Sequence, residues 1–167
     1  MTTQKPIGPS FSDELQAAGL FGLPFAYSSA GDFTFSAALT PDQITAIEAV
    51  YAAHDPTTIP LSQQALSALA VGITISSTGT PALNGAYVCD QISQMDIIAI
   101  ETSISAGKGF PGGATTFNYP DVTGTMHSFT EANFTDFAAA VRDYVYALKS
   151  VIAGASTSLP AASTTIA

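Results

Sequence analysis

Charge is what this sequence has least of. Asp, Glu, Lys and Arg make up 10% of the 167 residues, against about 25% in an ordinary soluble domain. Thirteen of the charged side chains are acidic and only four are basic (Lys5, Lys108, Arg142 and Lys149), so the net charge is −9. Four cations cannot neutralise a row of phosphates, which excludes nucleic acid as a partner and argues against attachment to an anionic membrane surface. Long apolar runs are missing too, and nothing approaches the roughly 20 residues of a membrane span. The opening MTTQKPIGPSFSDE has no apolar core behind a basic stretch, so it is not read as a secretory signal. Tryptophan is absent. The single cysteine, Cys89, excludes an internal disulfide and a zinc–cysteine cluster, and fits synthesis in a reducing cytoplasm.

Hydroxyl side chains fill the gap, with 17 Ser and 20 Thr beside a 47% hydrophobic fraction. A chain of this length hides about 68–70% of its unfolded surface, enough for one core or for one core with a small appendage. A surface poor in charge and rich in Ser, Thr, Ala and Gly suits a chain that lives packed against other subunits, and equally a stable extracellular particle. Residues 1–12 carry Pro6, Gly8 and Pro9 among polar residues and read as an arm. Residues 155–167, ASTSLPAASTTIA, read as a low-complexity tail. Ile7, Phe11, Leu159 and Ile166 are the large apolar side chains available to anchor these ends. They are expected to dock on a neighbouring subunit or on the chain's own body.

Between the ends one pattern recurs three times: strand, turn, strand, helix. FAYSS and DFTFS flank Ala30-Gly31 and precede PDQITAIEAVYAAH. GITISS and NGAYVC precede DQISQMDIIAIETSISA. TTFNY and TMHSF flank Pro-Asp-Val-Thr-Gly and precede TEANFTDFAAAVRDYVYALKSVIA. The strands alternate and are bounded by turn residues. Thr40 before Pro41 with Gln43 following, Asp90, and Thr130 before Glu131 are helix-start signals. Ile44, Ile47 and Tyr51 share one face of the first helix. On the second, Met95, Ile98 and Ile104 form a stripe that Ile92, Ile97 and Ile100 widen. On the third, Phe134, Phe137, Val141, Tyr144, Leu148 and Ile152 keep a three-four spacing. PLSQQALSALAV (60–71) reads as a linking helix. The expectation is an α+β fold of successive ββα units, with a long C-terminal helix packed on short antiparallel sheets. Its divisions are an arm 1–12, a small unit 13–59, a core 60–154 and a tail 155–167.

Chemistry is harder to find. His54-Asp55-Pro56 closes the first helix, where a histidine is favoured by the helix dipole, so a capping role outweighs a catalytic one. His127 lies in a strand as an exposed residue or a ligand, with no second histidine at metal-binding spacing. Cys89 precedes the second helix without a neighbouring base and reads as a small buried hydrophobe. Gly107-Lys108-Gly109-Phe110-Pro111-Gly112-Gly113 fails the phosphate-loop pattern and reads as a helix stop followed by a turn. No calcium loop or serine elbow is present. The expectation is a chain without catalytic residues, cofactor or metal.

Two stretches, GITISSTGTPALNGAYVCDQISQMDIIAI (72–100) and GGATTFNYPDVTGTMHSFTEANFTDFAAAVRDYVYAL (112–148), resemble a domain of unknown function in tail-fibre and tail-assembly proteins of tailed phages and prophages. The carrying positions are Gly72, Asp90, Gln94, Asp121, Gly124, Thr130 and the helix from Glu131. Phe117 or Tyr119 stands where the family often has Trp. Residues 13–56 are similar to the front end of small tail proteins from the same neighbourhoods. The resemblance implies a structural protein of the virion, in tail, baseplate or fibre, acting through contacts with other virion subunits or copies of itself. A fibre-assembly chaperone is the alternative it leaves open, and a small hydrolase is the reading from another class. It carries over no functional residues.

Overall fold

The computed structural model describes residues 4–167. The chain divides after Pro60 into two compact units, one residue beyond the expected boundary. The first unit contains helix α1 (Phe11–Ala17), an antiparallel hairpin of β1 (Phe25–Tyr27) and β2 (Phe33–Phe35), and helix α2 (Pro41–Ala53). Helix α2 starts where it should because Thr40 and Gln43 form a reciprocal capping box: the Thr40 hydroxyl accepts the Gln43 N–H at 3.2 Å, and the Gln43 amide oxygen accepts the Thr40 N–H at 2.9 Å. The core gathers Phe11, Leu15, Leu20, Leu39, Ile47 and Tyr51. The Phe33 ring meets the Tyr51 ring edge-on at 4.9 Å. A buried aromatic or aliphatic side chain contributes about 1.5–3 kcal/mol each, which a unit this small needs.

The second unit begins with α3 (Leu61–Val71), which turns directly into β3 (Ile73–Ser77). Gly72 makes that corner with φ +88°, a left-handed backbone lying so close to the Tyr87 carbonyl that a Cβ would not fit. Two hairpin–helix units follow: β3 with β4 (Gly85–Tyr87) and helix α4 (Gln91–Ser105), then β5 (Phe117–Pro120) with β6 (Met126–Phe129) and helix α5 (Glu131–Ile152). Asp90 and Thr130 cap these helices by accepting the N–H groups of Ser93 and Asn133. Strand β3 is central to its sheet, with Ile73, Ile75 and Ser77 inward and Thr74 and Ser76 outward. Helix α5 is the spine. It packs against α3 and α4 and reaches β3 and β6, burying Phe134, Phe137, Val141, Tyr144 and Leu148 at the expected spacing, with Ala138, Val145 and Val151 widening the stripe. The fold is α+β, with the long C-terminal helix and hairpin–helix units that the sequence indicates.

Three expectations need correction. Phe11 is not in an arm; it opens α1 and is fully buried in the core of the first unit. The segment before it is stitched down, since the Lys5 N–H donates to the Tyr51 hydroxyl at 2.7 Å and that hydroxyl donates to the Lys5 carbonyl at 2.6 Å. The remainder of the arm, residues 1–3, lies outside the described residues. Nor is 155–167 a tail throughout. Residues Ser163–Ile166 form strand β7, which joins β3 in parallel with Ile166 opposite Ser77, so this sheet is mixed rather than antiparallel. A Ser/Thr-rich strand is invisible to composition because only Ile166 faces the core, and one inward residue makes no pattern. Finally, α4 does not cover Ile92, Met95 and Ile98. It turns Ile97 inward with Ile100 and Ile104 half-covered.

Candidate functional site

Both histidines are buried beside a carboxylate, the arrangement a hydrolase would use. In the first unit the His54 Nδ1 lies 2.8 Å from the Glu14 carboxylate, and Nε2 accepts the Gly8 N–H at 2.9 Å. Because Nε2 accepts, the proton sits on Nδ1 and is donated to Glu14. The ring thereby ties α1 to the end of α2, while Lys5 Nζ donates to the Ala52 carbonyl at 2.9 Å and to the His54 carbonyl. Both ring nitrogens are spent on structure.

In the second unit His127 is buried, not exposed as the strand pattern allowed. Its Nδ1 is 2.6 Å from the Ala82 carbonyl and its Nε2 is 3.2 Å from Asp121 Oδ2. Both ring nitrogens thus face acceptors, a backbone carbonyl on one side and a carboxylate on the other. Asp121 in turn accepts the Thr123 hydroxyl at 2.6 Å and the N–H groups of Thr123 and Thr125. These bonds, with His127, hold its carboxyl down at about 2. Gly85 lies against the pair, leaving no comfortable room for a Cβ. The Tyr87 ring lies tilted at 60° to that of His127 with centroids 5.5 Å apart, and its hydroxyl donates to the Leu83 carbonyl at 2.6 Å; burial pushes this phenol up. The cluster binds the turn at 81–84 to the β5–β6 hairpin and leaves no ring nitrogen for a substrate. Cys89 is fully buried, and burial pushes its thiol up to about 11, the opposite of what a nucleophile needs. Gly107 and Gly109 stop α4 with φ of +68° and +66°, as a helix end and turn. Among the described residues no group of three or more His, Cys, Asp or Glu side chains is placed to hold a metal, and no helix is long and apolar enough to cross a membrane.

The residues expected to anchor the ends separate. Ile7 packs half-buried on the first core and its N–H donates to the Ser29 carbonyl. Phe11 belongs to the same core, and Ile166 to the second. Leu159 alone faces solvent, beside Ala147 and Pro160. Three of the four are therefore spent on the chain's own body.

What the sequence reading missed is an apolar face on the second unit. Along α4, Ile92, Met95 and Ile98 are 72%, 63% and 63% exposed; Leu66 on α3 is 55% exposed and Tyr146 on α5 is 67% exposed. Met95 and Ile98 form a ridge. On one side of it a hollow is bounded by Leu66 and Leu69 of α3; on the other a groove is floored by Ile97, Val141 and Val145. Lys149 borders both, its ammonium 5.7 Å from the centre of the Tyr146 ring. The signal was in the sequence: an ordinary amphipathic helix needs one apolar stripe, and α4 has enough Ile and Met for two. No protein-family model, curated protein or solved structure matches this chain.

Proposed function

We propose that the chain is a non-enzymatic structural component of a bacteriophage virion, associated with tail, baseplate or fibre, that works through protein–protein contacts made by the α3–α4–α5 face of its second unit. The observation that carries the contact reading is the row of exposed Ile92, Met95 and Ile98 between two apolar hollows. A contiguous exposed apolar face marks an interaction site in a soluble protein, and this one costs solubility in a chain already short of charge. The placement in a virion rests on the likeness of residues 72–100 and 112–148 to phage tail proteins. An interior in which both histidines and the only cysteine are consumed by structural contacts favours this reading over a hydrolase.

Mass spectrometry of purified phage particles tests the placement. The expected result is this chain at a fixed stoichiometry to the tail proteins. Presence in the infected-cell lysate with absence from particles would replace the structural role by that of an assembly chaperone. Such a chaperone would bind fibre chains through the same face and then leave.

A further inference from the structure

The imidazole of His54 latches the segment before α1 to the first unit, and we infer that a proton on its Nε2 opens that latch, which makes residues 4–9 a pH-released strap. The inference concerns the first unit alone and is independent of the contact-face reading above. The His54 side chain has no solvent exposure. Gly8 fixes the state of the ring: its N–H donates to Nε2 at 2.9 Å, and that bond needs the lone pair of an unprotonated nitrogen. Gly8 lies so close to the Pro56 backbone that a Cβ would not fit, so the strap is pressed against the chain just beyond the ring. On the near side of Gly8 the Ile7 N–H donates to the Ser29 carbonyl at 2.9 Å, and Ile7 packs on the first core. Further back, Lys5 Nζ donates to the His54 carbonyl.

The groups around the ring decide what a proton displaces. Glu14, from α1, faces Nδ1 with both oxygens, at 2.8 and 3.0 Å, and also accepts the Ser10 hydroxyl at 2.7 Å. Asp55, next in the chain, is a second carboxylate, occupied by the Thr57 N–H and hydroxyl. Tyr51 of α2 spends its hydroxyl on the Lys5 backbone, and the Phe11 ring closes another side with its centre 5.1 Å away. The cation is Lys5, which belongs to the strap. A charged imidazole therefore keeps its place, because its bond to Glu14 becomes an ion pair. The strap loses its hold. The proton removes the acceptor of the Gly8 N–H and sets two N–H groups face to face, leaving a half-buried donor unsatisfied. It also puts a second positive charge beside the Lys5 ammonium. Both ties weaken together while the tie between α1 and α2 tightens. Imidazole is the side chain that ordinarily changes charge between about pH 5 and 8, so acidification through that range is the trigger. What lifts is the run 6–9, and with it Ile7. His127 lacks this device, because both its nitrogens face acceptors and a proton there breaks no bond.

Nuclear magnetic resonance of the full, nitrogen-labelled chain between pH 7.5 and 5 tests this. Imidazole nitrogen shifts read the protonation of His54, and amide relaxation reads the strap. The order parameters of the Ile7 and Gly8 amides should fall from about 0.85 to below about 0.6 as His54 Nε2 takes up its proton. The exchange protection of Gly8 should fall at least tenfold over the same range, with the amides of α1 and α2 unchanged. His54→Gln offers an amide oxygen that accepts an N–H and does not titrate, so its strap should stay rigid at both ends of the range. A strap that stays rigid after Nε2 is protonated overturns the inference. So does an Nε2 already protonated at pH 7.5, a ring still singly protonated at pH 5, or equal loosening in His54→Gln. Should that variant fail to fold, the wild-type titration decides alone: strap and imidazole must share one midpoint, and separate midpoints overturn the inference.

Discussion

Replacing Phe137 with Ala and, separately, Ile98 with Ala sets the two faces of the α4–α5 layer against each other. Phe137 has no solvent exposure, and its ring centre lies 4.8 Å from Tyr87, 5.0 Å from Phe129, and 5.6 Å from both Phe134 and Tyr119. Truncation removes a whole ring from a site closed on all sides by other rings, which cannot collapse far into the gap. The transfer and cavity terms together cost about 3–5 kcal/mol. That is a large fraction of the roughly 5–15 kcal/mol a domain has in total. At about 4 °C or more per kcal/mol, the melting temperature of the second unit should fall by at least ~12 °C. Ile98 touches the same layer from outside and is 63% exposed, so Ile98→Ala should stay within about 0.5 kcal/mol of wild type. Urea titration followed by circular dichroism reads both, because tryptophan is absent from the chain. The Phe137→Ala midpoint should drop with little change in slope. Equal stability losses from the two substitutions, or a Phe137→Ala chain as stable as wild type, would refute the assignment of inner and outer faces.

Other outcomes follow from the same contacts. The Asp121 carboxyl is held at about 2 in the fold, below its ordinary 3.8, so its bonds to Thr123, Thr125 and His127 stabilise above about pH 4 and are lost as pH falls from there towards 2; a titration of melting temperature should show that acid-side loss in the wild type and a flatter curve in Asp121→Asn. Deleting residues 163–167 strips β3 of a partner and removes buried Ile166, so the second unit should lose stability in calorimetry while the first keeps its own transition. Cys89 should resist thiol reagents in the native protein at pH 8 and react fully in urea, since it is both buried and pushed up to about 11; fast native labelling would contradict its placement in the core.

The hairpins and helix starts were legible because each rests on a local signal. Thr40 with Gln43, Asp90, and Thr130 are short-range caps, and the α5 stripe declares its buried face through spacing alone. The hidden parts depend on contacts distant in sequence. Strand β7 is recruited by β3 from some ninety residues away, as in the bond from the Ser77 hydroxyl to the Ala167 carbonyl at 2.7 Å, and no window of sequence contains both partners. His127 reads as an exposed strand residue until Ala82 and Asp121 are brought to its two nitrogens. For α4 the sequence shows too many apolar residues for one face but not which of them stays uncovered. That choice is made by α5, which takes Ile97 and leaves Met95 and Ile98 outside.

The central claim is that this outer face is where the chain meets its neighbours in a particle. Quantitative mass spectrometry of particles assembled with Ile98→Asp in place of the wild-type chain tests it most directly. A charge at the exposed ridge leaves the buried core intact, so the variant should fold, accumulate in the lysate and yet be depleted from purified particles. Incorporation of folded Ile98→Asp at the wild-type ratio would contradict the account.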